Sequence, residues 1–149
     1  MQTLYFEDFQ VGDTFHSESV TISESDVIGF AEQFDPQYFH LDKVRAKDSF
    51  FNGLAASGWH TSAISMRLMV NSGLGRIANG MIGLGVDELR WPQPTYAGDA
   101  VRVVVTVLAT KASKSQPGWG IVKIQGQTYN QHDAMVMQLI TPLWVQQRS

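Results

Sequence analysis

Residues 49–75, SFFNGLAASGWHTSAISMRLMVNSGLG, decide the fold, because Arg67 is the single charged residue among them. A helix over residues 59–72 would carry small or apolar side chains on nearly all of its sides. A helix that lacks a polar face is normally buried, and the glycines that follow this segment are typical helix stop signals. The sequence therefore predicts a long helix, within about residues 59–72, at the centre of the molecule.

The rest of the chain changes from a helical to a strand-like periodicity. Its second half alternates valines with other residues, as in Val101, Val103, Val105 and Val107. Long successive strands with short connections pair antiparallel. One uncharged helix followed by such strands predicts an α+β fold, in which a curved antiparallel sheet wraps around a central helix in a single domain over residues 1–149. The predicted strands are 14–20, 81–91, 101–108, 119–129 and 135–145.

A shorter helix precedes the central one. Thr21 and Glu24 have the spacing of a capping box, and apolar residues follow at helical spacing up to Phe34. Pro36 ends this helix, because the residue before a proline disfavours the α region. We therefore expect Asp35 at the helix exit, where the break aims its side chain.

An acid and a base surround this break. Asp35 and His40 lie five positions apart, on what we expect to be a proline-broken loop. The turn at Ser57-Gly58 opens the central helix. A carboxylate and an imidazole beside a helix N-terminus are a layout for polarising a carbonyl group and moving a proton.

Composition excludes several classes of function. Hydrophobic residues make up 44% of the chain and the net charge is −3 without a basic cluster, so a packed core is expected and a nucleic-acid interface is not. The absence of cysteine excludes disulfides and thiolate chemistry and fits a cytoplasmic location. No apolar run is long enough for a membrane span, and we expect no membrane association. His16 and His132 have no partners at metal-ligand spacing, so no metal site is predicted.

Other polar residues have simpler interpretations. Asp42 has the position of a helix N-cap, and His60 that of a packing or capping residue in the first turn of the central helix. Both are kept outside the predicted catalytic set. Lys111 and Lys114 are expected to lie on a solvated loop. Contact with the phosphates of coenzyme A is the alternative.

Two motifs carry a family resemblance. The spacing of Asp35 and His40, with Ala46 six positions after the histidine, and the run from Ser57 to Thr61 (SGWHT) resemble the MaoC-like dehydratases. This hotdog-fold group includes the (R)-specific enoyl-CoA hydratases. The chain departs from the usual signature at four positions. It has Phe34 where Gly is usual, Gln37 where Asn is usual, Tyr38 where Pro is usual and Phe39 where an aliphatic residue is usual.

The resemblance implies a hotdog domain that assembles as a homodimer or a dimer of dimers, with a thioester pocket at the subunit interface. Asp35 and His40 would hold one water molecule, and a backbone amide near Gly58 would bind the thioester oxygen. Ser57 and Trp59 flank that amide as substrate-binding candidates. The resemblance implies an acyl-CoA or acyl-carrier thioester substrate, and no cofactor beyond the coenzyme A that belongs to it.

The resemblance favours a hydro-lyase, either an enoyl-thioester hydratase or a 3-hydroxyacyl-thioester dehydratase. Two alternatives remain open. One is a hotdog thioesterase in which Asp35 activates water at the carbonyl. The other is a non-catalytic acyl-CoA or acyl-carrier binding protein, which the unusual Gln37 and Tyr38 keep open.

Overall fold

The computed structural model describes residues 2–149. Seven strands and four α-helices lie within that range, with two short 3-10 helices at Phe6–Asp8 and Gly73–Arg76. The strands are β1 (Thr14–His16), β2 (Val20–Thr21), β3 (Ile82–Gly83), β4 (Glu88–Arg90), β5 (Ala100–Ala112), β6 (Trp119–Tyr129) and β7 (Met135–Gln146). The helices are α1 (Glu24–Phe34), α2 (Tyr38–Leu41), α3 (Lys43–Ala46) and α4 (Gly58–Val70).

All strands join one antiparallel sheet. Its order is β1-β5-β6-β7-β3, with β2 also pairing with β5 and β4 also pairing with β7. The three long strands are consecutive in sequence and adjacent in space, because short hairpin connections join them. The predicted α+β class and the antiparallel pairing are confirmed.

The sheet buries one face against the central helix. In β5 the alternate residues Val101, Val103, Val105 and Val107 are at most 1% exposed, as their period of two predicts. A Cβ atom added to Gly126 of β6 would lie 3.2 Å from the sulfur of Met69 on α4. The glycine thus lets α4 lie close to the middle strand of the sheet.

Helix α4 has two different faces. His60, Thr61, Ile64, Ser65, Leu68 and Met69 are buried toward the sheet and α1. Trp59, Met66 and Val70 on the other face are between 43% and 59% exposed. The expectation that the helix is buried all round is therefore wrong for this chain taken alone, and the exposed face is available to a partner.

The first helix begins later than the capping-box prediction placed it. Ser23 is the N-cap, and its side chain accepts a hydrogen bond from the backbone N–H of Asp26. Thr21 instead belongs to β2, where it pairs with Ala100. Tertiary strand pairing overrides the local capping signal here. The predicted end of the helix is confirmed, because α1 stops at Phe34, two residues before Pro36.

Two predicted strands are shorter than expected. The 14–20 segment forms only β1, and β2 starts at its last residue. The 81–91 segment is divided into β3 and β4. Gly85 between them has φ of +145°, a backbone conformation outside the strand region, so the ladder is interrupted there. Within residues 2–149, the helices are too short or too polar to cross a lipid bilayer.

Candidate active site

His40 lies in helix α2 and is buried, with 5% of the residue exposed. The prediction that it lies on a loop is wrong, because Tyr38–Leu41 form one helical turn that begins two residues after Pro36. The ring Nδ1 lies 2.5 Å from the carbonyl oxygen of Ala55. Since a carbonyl only accepts, Nδ1 must carry the proton, and Nε2 of the neutral ring then has a free lone pair.

Asp35 faces that second nitrogen. As the C-cap of α1, it has its backbone fixed by a bond to the carbonyl of Ala31. Its Oδ2 lies 3.3 Å from His40 Nε2, and its Oδ1 accepts a 2.6 Å hydrogen bond from the side-chain amide of Gln37. The structure therefore brings the predicted acid and base into direct contact.

The charge state of Asp35 follows from its neighbours. Burial raises the pKa of Asp35, but hydrogen bonds from Gln37 and Ser57 and the nearby His40 ring together lower the pKa below its ordinary value. The carboxylate is then ionised at neutral pH. With Nδ1 protonated, Asp35 Oδ2 and His40 Nε2 are both acceptors, so a shared donor is needed between them unless the ring gains a second proton.

An extended segment connects the dyad to the central helix. Ala55 donates its N–H to the Phe39 carbonyl, and its own carbonyl accepts from His40. The next residue, Ala56, donates to the carbonyl of Thr95. The segment thus lies between α2 and the loop that precedes β5, and it leads directly to Ser57.

Ser57 and Gly58 form the entrance to α4. Ser57 is fully buried, and its hydroxyl caps the helix by accepting from Trp59 N–H. The carbonyl of Ser57 accepts from His60 and Thr61. Among the hydrogen bonds of residues 2–149, the Gly58 N–H has no protein acceptor. An orphan N–H in the first turn of a helix is a ready donor for an oxyanion.

Trp91 lies against Gly58. A Cβ atom placed on Gly58 would lie 2.6 Å from Cδ2 and Cε2 of the Trp91 ring. The indole N–H donates a 3.1 Å hydrogen bond to the hydroxyl of Ser62, one turn into α4. Only glycine fits beneath the ring, and the ring in turn forms a wall beside the start of the helix.

These groups surround a cavity of about 420 Å³. His40, Gly58 and Trp91 line it together with Phe51 and Thr95. Asp35 reaches the cavity through its contact with His40. The cavity therefore combines a base, an available amide and apolar walls, which is the composition expected of a small-molecule site.

Three other candidate residues lie elsewhere. Trp59 is 59% exposed, contacts Trp91 edge to face and lies outside this cavity. Asp42 is the N-cap of α3, as predicted, and accepts from the two backbone N–H groups of Val44 and Arg45. The ring of His60 stacks on the ring of Phe30 with 4.6 Å between the centroids, so it packs α4 against α1. Burial lowers the pKa of His60.

The family can be assigned from comparisons with known proteins. Residues 8–128 match the family model described as the MaoC like domain. The chain belongs to the MaoC-like dehydratase family. A MaoC-like dehydratase from Rhodospirillum rubrum superimposes with a TM-score of 0.93, at 48% identity over 98% of this chain and 99% of that one.

Two further comparisons extend this result. The uncharacterized protein YdeM of Bacillus subtilis is 32% identical over 133 residues, which cover 89% of this chain and 92% of that protein. The R-hydratase PhaJ1 from Pseudomonas aeruginosa has a TM-score of 0.77 at 23% identity, over 98% of this chain and 88% of that one. The latter likeness establishes the fold alone. The predicted hotdog fold of this MaoC-like chain is confirmed.

Several cavity residues were missed by the sequence analysis. Trp91 is the last residue of the predicted strand 81–91, Thr95 lies outside the predicted elements, and Phe51 precedes the predicted central helix. Their positions depend on contacts over long sequence distances, such as Ala56 N–H to Thr95 O. The sequence alone carries no signal that places any of them at the site.

Proposed function

We propose that this MaoC-like protein is a hydro-lyase that adds water to an enoyl thioester, or removes it from a 3-hydroxyacyl thioester. The acyl group is carried by coenzyme A or by a carrier protein. The observation that carries this proposal is that Asp35 Oδ2 lies 3.3 Å from His40 Nε2, while Nδ1 of the same ring donates its hydrogen bond to the carbonyl of Ala55.

This geometry favours a shared water molecule. Two acceptors at such a distance repel each other unless one donor molecule contacts both of them from the side, and water can donate one proton to each. Asp35 is held in place by Gln37, and His40 by the Ala55 carbonyl. A water bound to both groups would be oriented and polarised before the substrate arrives.

In the hydration direction, His40 Nε2 takes a proton from this water while the oxygen forms a bond to the β-carbon. The π electrons shift toward the carbonyl, and negative charge develops on the thioester oxygen. The proton held by the dyad then passes to the α-carbon. One water is consumed, with its hydroxyl on the β-carbon and its proton on the α-carbon.

The enolate oxygen needs a donor, and we assign the Gly58 N–H to this role. The amide lacks a protein acceptor among residues 2–149, and Gly58 lines the same cavity as His40. Its place at the start of a helix of thirteen residues adds a favourable dipole. Preorganised donors of this kind are worth about 10²–10³-fold in turnover.

The protein is further proposed to act as a homodimer. The exposed side of α4 and the edge of the sheet form an apolar groove that includes Trp59, Met66, Met81, Val86 and Leu89. Isolated chains rarely expose continuous apolar surface of this kind. A second copy of the chain would cover it, in line with the dimer that the family resemblance implies.

The test compares variants of each dyad member in the hydration of crotonyl-CoA and longer enoyl-CoA substrates, followed by loss of conjugated absorbance. Asp35→Asn and His40→Asn should each lower kcat by about 10²–10⁴-fold. The asparagine amide at position 40 still reaches the Ala55 carbonyl, so this variant removes Nε2 while it keeps the structural hydrogen bond. The double variant should lose far less than the product of both single losses, because one water serves both groups.

Release of free thiol is assayed in parallel. Thiol release without hydration would replace the hydratase with a thioesterase. Folded variants with normal hydration would refute the catalytic role of the dyad. If the wild-type protein binds acyl-CoA without converting any of these substrates, the binding protein becomes the better explanation.

A further inference from the structure

The cavity contains a buried pair of hydroxyl groups for which the proposed reaction has no use. Thr61 of α4 and Thr95 each have 2% of their surface exposed, and both line the cavity. The Thr61 hydroxyl donates a 3.1 Å hydrogen bond to Thr95 Oγ1. The alternative acceptor for Thr61, the Ser57 carbonyl, is farther away at 3.5 Å.

Each hydroxyl has one proton to donate. Thr61 gives its proton to Thr95, so the proton of Thr95 is left over. Among the hydrogen bonds of residues 2–149, Thr95 Oγ1 donates none. Since the residue is buried and lines the cavity, bulk water does not reach the group freely, and its remaining proton is available to whatever fills the cavity.

A second hydroxyl pair, one turn further along α4, shows what a self-contained arrangement looks like. Ser65 donates to the carbonyl of Thr61 at 2.7 Å, and Thr128 lies 2.6 Å from Ser65 Oγ. Both protons of this pair therefore have acceptors within the protein. Ser65 and Thr128 do not line the cavity. The pair that faces the cavity is the one with a free donor.

We propose that Thr95, held by Thr61, is a specificity residue that donates a hydrogen bond to an oxygen atom on the acyl chain. This rests on the proposed function, and it assigns the substrate to thioesters whose acyl chain carries an uncharged hydroxyl or carbonyl group beyond the reacting carbons.

The charge of the preferred group follows from the cavity lining. Among the described residues 2–149, His40 is the only titratable residue that lines it, and neither lysine nor arginine does. A buried carboxylate would need a cationic partner, whereas one hydroxyl donor satisfies a neutral oxygen. The remaining walls, which include Phe51, Trp91 and Val136, are apolar and accept the carbon atoms of the chain.

The test measures binding separately from turnover. Calorimetric titration compares butyryl-CoA with 4-hydroxybutyryl-CoA and 5-hydroxypentanoyl-CoA with pentanoyl-CoA, none of which has a double bond to hydrate. The wild-type protein should bind at least one hydroxylated thioester about tenfold more tightly than its plain counterpart. Thr95→Val should remove this preference while affinity for the plain thioesters is kept, because valine has the same shape without the donor.

Two variants complete the design. Thr95→Ser keeps the hydroxyl and should keep the preference. Thr128→Val removes a buried hydroxyl of the same kind outside the cavity and should also leave the preference unchanged. Like Thr95→Val, this control variant loses a buried hydrogen bond. The same panel is then repeated with the corresponding enoyl-CoA substrates, where the ratio of kcat/KM values should follow the ratio of affinities.

The proposal is overturned if the wild-type protein shows no preference for either hydroxylated thioester, or if Thr95→Val retains one. Absence of hydration with every enoyl-CoA would contradict the proposed function only, because the titrations with saturated thioesters still decide the role of Thr95.

Discussion

Replacement of Gly58 by alanine tests whether Trp91 closes over the helix entrance as described. The added Cβ atom would lie 2.6 Å from the indole ring, whereas ordinary contacts begin at 3.4 Å, so about 0.8 Å of separation must be gained. The ring is rigid, and its retreat pulls against the hydrogen bond to Ser62. Such overpacking typically costs about 1–3 kcal/mol of unfolding free energy.

The measured effect will be smaller than this cost. Alanine in place of a helical glycine gains about 0.5–1 kcal/mol, because the unfolded chain has less conformational freedom to lose. Gly29 of α1 provides the matched control, since a Cβ atom added there meets nothing within 4 Å. Gly29→Ala should therefore stabilise the protein, whereas Gly58→Ala should destabilise it by up to about 2.5 kcal/mol.

Denaturant unfolding followed by circular dichroism, at one protein concentration for all variants, gives both free energies. The comparison of the two variants separates the cost of displacing Trp91 from the stabilisation that alanine gives over glycine where space is free. Gly58→Ala should also lower hydration turnover, since the ring and the amide beneath it both border the cavity. Equal stabilisation by the two alanines would refute the close contact between Gly58 and Trp91.

The remaining predictions concern pH and assembly. Because the pKa of folded Asp35 is lowered, its ionised form stabilises the protein above its unfolded pKa, and this contribution disappears as the pH falls below about 4. Urea midpoints between pH 2 and 7 should therefore fall more steeply in acid for the wild type than for Asp35→Asn; parallel curves would contradict this. Sedimentation equilibrium should give about twice the 16.6 kDa chain mass. Met66→Asp should yield monomer, whereas Val11→Asp, at an exposed apolar residue outside the groove, should not. A wild-type monomer at tens of micromolar would refute the dimer.

The elements that follow from sequence are those whose packing matches their local pattern. The alternating valines of β5 are buried as their period predicts, and the central helix begins at Gly58, one residue before the predicted limits of 59–72, and ends inside them. Asp35 could be placed at a helix end because Pro36 constrains the preceding residue regardless of tertiary structure. In each case the decisive interaction is local or repeats along one element.

The failures share the opposite property. His40 was expected on a loop, but its helical turn is held by Ala55, fifteen residues away. The Thr21 capping signal lost to strand pairing with Ala100. Thr95 gave no signal at all, because its place in the cavity follows from a backbone bond to Ala56 and a hydroxyl of α4. Contacts between distant segments decide these positions, and a single sequence does not display them.

The chemistry of the cavity depends on a short extended segment more than on any one side chain. Ala55 fixes the ring of His40 through its carbonyl, and Ala56 fixes Thr95 through its N–H. Ser57 then caps the central helix and helps to lower the pKa of Asp35, and the Gly58 N–H that follows has no protein acceptor among residues 2–149. Four successive residues thus set the positions of the proposed base, acid, oxyanion donor and specificity residue relative to one another. Because these contacts use backbone groups and small, buried side chains, the relative geometry resists fluctuation, which is the condition for positioned acid–base chemistry.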